Sequence, residues 1–385
     1  MSMTLKWVIL LPLSAILIAG CGGGENKQRK LDQEQQQEFI KALPKSEIVE
    51  ELWDRDLGDF NQIGFNFVVE NGISYSIDNK GKIRAIELST GDLLWKNKYK
   101  HEITAAVGIS ADALFAVDKQ SRLVAFSRAD GEKLWRSDIN SEVLIPPVVA
   151  ANAVVVKTLD ARLVGFDLDS GEQLWTYRHE KTGLSLRGGS IPLVARKFLF
   201  TGFEDGRLVA VDANTGKLLW DVPVGKSSGR DEIQRLTDID AQPVIDGDNL
   251  YVTAFQRRMM ALDIVGGRIL WSRPVSSFID FEIDRQALYI IDVTGNIIAL
   301  DRQSGNALWI QEDLNDLFLT SITILGNKLI LTDNENMYAL SLENGEVMSR
   351  QKLSGGAPLM APVVIDGTAY YLLSNGDLRA LTLSQ

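Results

Sequence analysis

Cysteine is almost missing from this chain: Cys21 is the only one in 385 residues, so no internal disulfide can form. Histidine is nearly as scarce. His101 and His179 are the only two, they lack metal-ligand spacing, and both are expected in surface loops. Positive charge is not in excess, since the formal net charge is −11, and this excludes a basic nucleic-acid footprint. No Gly-rich phosphate loop follows a strand, and there is no G-x-S-x-G nucleophile motif. Helical periodicity is absent except near "QEFIKAL", and the one long apolar run is too short for a confident membrane span.

That run, "WVILLPLSAILIAG" behind Lys6, reads as a secretory signal peptide over residues 1–20. Ile-Ala-Gly-Cys at 18–21 resembles the bacterial lipobox, in which cleavage leaves a lipid-modified cysteine first. Cys21 is therefore the expected attachment point, and a thiol committed to lipid explains why it has no partner. Cleavage removes one lysine and no acid, taking the formal charge from −11 to −12. Residue 22 is glycine rather than aspartate, which by resemblance to the enteric sorting rule directs the protein to the outer membrane. Residues 21–46 then form the anchor and a polar, flexible tether.

The rest of the chain repeats itself. "TGDLLW", "DGEKLW", "SGEQLW", "TGKLLW", "GGRILW" and "SGNALW" each place a tryptophan four residues after a glycine. Aligned on Gly91, Gly131, Gly171, Gly216, Gly267, Gly305 and Gly345, the intervals run 40, 40, 45, 51, 38 and 40 residues. A small residue stands six positions before each glycine, and Ala380 begins an eighth copy that stops short of its own. Each copy contains four short apolar runs separated by Asp, Asn, Ser and Gly, which is the pattern of a four-stranded propeller blade. The expected fold is all-β: an eight-bladed β-propeller of antiparallel four-stranded blades over residues 47–385. The eighth copy lacks its fourth strand, whereas "VEELWDRDLG" at 49–58 matches that strand. This N-terminal segment is expected to complete the last blade, with Trp53 in the repeated position, and so close the ring.

The repeated tryptophans are expected to pack blade on blade, and Asp167, Asp212, Asp263 and Asp301 to bond turn backbone. In the seventh copy Ser349 replaces the tryptophan. Function is sought where the repeat is interrupted. The 45- and 51-residue intervals enlarge two neighbouring blade-to-blade connections, "RHEKTGLSLRGGS" (178–190) and "VGKSSGRDEIQRLTDID" (224–240). The first carries Leu184, Leu186 and Arg187, and the second places Asp238 and Asp240 on one side of an extended stretch. Arg187 and the two acids could pair internally and shape the loops. Arginine beside exposed leucines could equally anchor a partner.

The "ALD-x-x-x-G-x-x-LW" repeat resembles that of the pyrroloquinoline-quinone (PQQ) dehydrogenases. Lipobox, eight repeats, N-terminal closure and length together resemble the BamB family, lipoproteins of the outer-membrane β-barrel assembly machinery. "LSLRGGSIP" and "RLTDIDAQPV" look like the loops with which that family engages BamA. The resemblance implies a non-enzymatic scaffold of the BAM complex, held in the outer membrane by its lipid with the propeller in the periplasm. It implies binding of the BamA POTRA domains through Leu184, Leu186, Arg187, Asp238 and Asp240, help for unfolded barrel clients, and no cofactor. Two alternatives stand beside it. A PQQ-dependent dehydrogenase-like enzyme would need a disulfide of adjacent cysteines, calcium ligands and a catalytic aspartate. A generic periplasmic protein-binding propeller would need none of these.

Overall fold

The computed structural model describes residues 34, 36–60, 65–180, 190–224, 241–253, 258–277 and 279–384. Residues 1–43 and 44–385 are two separate compact units. In the first, residues 36–42 are helical, the short helix expected from "QEFIKAL".

The second unit is the eight-bladed propeller. Its described strands form eight antiparallel four-stranded sheets, seven of them built from consecutive strands. The eighth sheet runs in the order Val49–Asp56, Asp377–Leu383, Thr368–Leu372, Val363–Ile365, so the N-terminal strand supplies its outer edge. The register places Trp53 opposite Ala380. Elsewhere Trp95 faces Ala85, Trp220 faces Ala210 and Trp309 faces Ala299. The small residue six places before each glycine is therefore the cross-strand neighbour of the indole, and a larger side chain there would occupy its space. In blade 7 Ser349 stands opposite Ala339 in the same register.

The second and third strands of the blades are buried on both faces because a neighbouring blade covers each. Ala113–Asp118 and Ala153–Lys157 are buried throughout, which explains continuous apolar runs in place of strict alternation. The outer strands alternate between exposed and half-buried positions, as in Leu93–Lys98.

The glycines explain the tryptophans. Gly91 sits at φ +72°, and a Cβ there would come 2.6 Å from Trp53 of the preceding blade. The same pairing recurs around the ring as far as Trp309 on Gly345. Trp53 also donates from Nε1 to the Leu88 carbonyl at 2.9 Å, and Trp135, Trp220, Trp271 and Trp309 bond the next blade in the same way. Each of these five indoles is a bolt between blades, holding one seam by apolar contact and one hydrogen bond. The repeated acids bond their turns as expected. Asp167 accepts the Ser170 N–H at 2.8 Å, Asp212 that of Asn214 at 3.1 Å, Asp263 that of Val265 at 3.0 Å and Asp301 that of Ser304 at 2.8 Å.

Candidate partner-binding face

Every blade ends its outer strand on the face of the ring where the next blade's first strand begins. The two enlarged connections follow the strands Gln173–Arg178 and Leu218–Pro223, so they leave blades 3 and 4 side by side. Leu184, Leu186, Arg187, Asp238 and Asp240 lie outside the described residues, as does Cys21. Their roots are described.

In six blades the residue just beyond the outer strand donates its N–H to a turn of its own blade. Leu57, Tyr99, Ile139, Val224 and Leu353 occupy that position in five blades and are all buried. In blade 3 the residue is His179, bonded to the Ala161 carbonyl at 2.9 Å. The expectation of a surface loop for His179 is corrected: it is 7% exposed, because this position faces the next blade instead of solvent. Its ring stacks on Phe203 with centroids 4.1 Å apart, and Nε2 lies 2.9 Å from Asp205 Oδ2. Lys157 donates to the Gly202 carbonyl at 2.6 Å across the same seam.

This seam differs from the others in its tryptophan too. Gly165 replaces the usual alanine opposite Trp175, and a Cβ at Gly165 would lie 2.4 Å from the indole. Trp175 is buried, with no partner for its Nε1 among the described residues. Blades 3 and 4 are therefore joined by a His–Asp contact and a buried lysine where five other seams use the indole hydrogen bond. Around the second connection, Val224 is buried and bonds Gly206, and Ala241 re-enters the core. The exposed Arg196–Asp248 pair at 2.8 Å joins blades 4 and 5, a contact of small energetic weight in water.

At the centre of the same face, the segments entering the first strands of blades 1, 3, 4, 5, 6, 7 and 8 converge on a cavity of about 380 Å³. Phe65, Ile145, Ile191, Ile279 and Met360 make its walls largely apolar, with Ser190, Gln242 and Asp280 among them. Asp280 accepts the Gln242 N–H at 2.7 Å. Glu282, two residues on, accepts from the Thr323 hydroxyl at 3.2 Å. Burial pushes both carboxyls up, Glu282 to about 7, with the neighbouring Asp280 charge adding to the effect. None of these channel residues stood out in the sequence, because they lie outside the repeated glycine–tryptophan frame. His101 and His179 do not come together, and no group of three or more His, Cys, Asp or Glu among the described residues could hold a metal ion.

The family model described as outer membrane protein assembly factor BamB matches residues 79–311. The protein of that name from Pseudomonas aeruginosa is 38% identical over 98% of this chain and 99% of its own. The one from Xanthomonas campestris pv. campestris is 31% identical over 99% and 98%. Among solved structures, BamB from Moraxella catarrhalis superposes with a TM-score of 0.78 at 23% identity, covering 87% of this chain and all of that one. A quinohemoprotein alcohol dehydrogenase from Comamonas testosteroni reaches 0.67 at 12% identity over 88% and 77%, and so shares the fold.

Proposed function

The chain belongs to the family of outer membrane protein assembly factor BamB, and from that premise we propose that it is a non-enzymatic scaffold subunit of the BAM complex. It binds the periplasmic POTRA domains of BamA and assists insertion of β-barrel proteins. Residues 1–20 are removed as a signal, Cys21 carries the lipid that holds the protein in the outer membrane, and residues 21–46 tether a periplasmic propeller. Leu184 and Leu186 bury apolar surface against the partner, Arg187 supplies a directed charge, and Asp238 and Asp240 act from the neighbouring loop.

The observation that carries this reading is the pair of adjacent enlarged connections on one face of an otherwise regular ring. Family membership supports the same conclusion. Against a quinone enzyme stands the single cysteine, which leaves no adjacent pair to oxidise.

A pull-down from solubilised outer membranes tests the reading. Wild-type chain is expected to recover BamA, and Arg187→Ala or Leu184→Ala to lose it while melting normally. The Asp238→Ala/Asp240→Ala pair tests the second loop, and an internal ion pair would reveal itself there as lost stability. Normal recovery with all three variants would refute the loop assignment. Failure of the wild type to recover BamA would refute the partner.

A further inference from the structure

We propose that the cavity at the channel mouth is a binding site for a basic side chain, lysine or arginine, presented by an extended segment of a partner polypeptide. The inference stands on described residues alone and does not depend on the two enlarged loops.

The first observation is uncompensated acid. Asp280 lines the cavity, and Glu282, two residues on, feels its charge. Their contacts are a backbone N–H and a hydroxyl, and no cation among the described residues acts on either carboxyl. Two carboxylates withdrawn from water without a counter-charge are costly unless they are neutralised by protons or by a ligand. Burial is the main cause that raises the Glu282 carboxyl, and the Asp280 charge adds to it.

The second observation is unfilled hydrogen bonding beside the acids. Ser190 lines the cavity at 2% exposure, and its hydroxyl has no partner among the described residues. Tyr371, outside the cavity lining, is wholly buried and feels the charge of Glu282, and its hydroxyl has no partner among the described residues. Native interiors seldom leave such groups unmatched.

The third is shape. A lining in which Phe65, Ile145, Ile191 and Met360 stand with the carboxyl of Asp280 suits a long aliphatic stem with a charged head. At about 380 Å³ the cavity is near the lower end of ligand sites, room for one long side chain and its flanking backbone but not for a folded domain. The lining comes from the segments that enter the first strands of seven blades, so the mouth opens on the face where those strands begin, and an extended chain can lie across it. Leu359 on its rim is 39% exposed and available to a flanking apolar residue.

The test titrates the full-length chain in detergent, by calorimetry at pH 7, with a blocked five-residue peptide of leucine and alanine around one lysine. The same peptide with norleucine for lysine is the control, and n-butylamine is the free-amine arm. The lysine peptide is expected to bind at least tenfold tighter than either. Its binding should release protons, seen as a dependence of the heat on buffer, because a bound cation draws Glu282 toward its ionised form. Glu282→Gln and Asp280→Asn are each expected to weaken binding at least tenfold, and Glu282→Gln to abolish the proton release. Gln has the shape of the protonated acid, so Glu282→Gln should fold even if Asp280→Asn does not. No binding of the lysine peptide to folded wild type, equal binding of the norleucine peptide, or unchanged binding by Glu282→Gln would each overturn the site. Butylamine binding as tightly as the peptide would overturn the assignment to a polypeptide.

Discussion

The seam between blades 8 and 1 and the seam between blades 3 and 4 solve the same packing problem with different chemistry. At the first, Trp53 lies on Gly91 and donates to the Leu88 carbonyl, while Arg55 donates to the Gly91 carbonyl at 2.6 Å. At the second, Trp175 lies on Gly216 but has no hydrogen-bond partner among the described residues, and His179, Asp205 and Lys157 join the blades. The first seam follows the repeat and closes the ring. The second departs from it and stands at the root of the first enlarged connection.

That contrast can be broken by mutation. The largest effect is expected for Trp53→Ala, which opens a buried space at the closing seam and should cost about 3–5 kcal/mol in denaturant unfolding. A second effect is set by pH and belongs to the channel. Glu282 has a folded-state pKa of about 7, above its ordinary value. Its neutral form is favoured in the fold, so its stabilising contribution is full below the unfolded value, near pH 4.5, and is lost as the pH rises through about 7. Wild type should lose on the order of 2–3 kcal/mol relative to Glu282→Gln over that window. Parallel stability curves for the two proteins would contradict it. Trp220→Phe removes the indole bond to the Ile264 carbonyl and should cost about 1–2 kcal/mol more than Trp175→Phe, which has no such bond to lose. Equal costs would mean that the two seams are not different in kind. The smallest change is expected for Asp263→Ala, about 1 kcal/mol from the lost turn bond to Val265, with partner binding untouched.

Much of this was legible in the residues. Gly-x-x-x-Trp at intervals of about 40 residues counted the blades, because each blade must present the same glycine to the same indole. Trp53 showed the closure, because the register opposite Ala380 demands the repeated residue there. The buried role of His179 was less visible. A repeat places it among Tyr99, Ile139 and Val224, and an apolar position occupied by histidine was the available signal. The channel acids were not legible. Asp280 and Glu282 matter through the convergence of segments from seven blades, a relation that no local spacing encodes. The interrupted intervals pointed to Leu184, Leu186, Arg187, Asp238 and Asp240, but spacing alone does not say whether Arg187 meets a partner or its own neighbouring acids.

The central claim is that the repeat holds the ring while its interruptions bind. It is tested most directly by measuring, on one preparation, both the affinity of full-length Arg187→Ala for purified BamA POTRA domains and its melting temperature. The expected result is an affinity at least tenfold weaker than wild type with an unchanged melting temperature. Wild-type affinity, or a loss of binding that merely follows a lowered melting temperature, would contradict it.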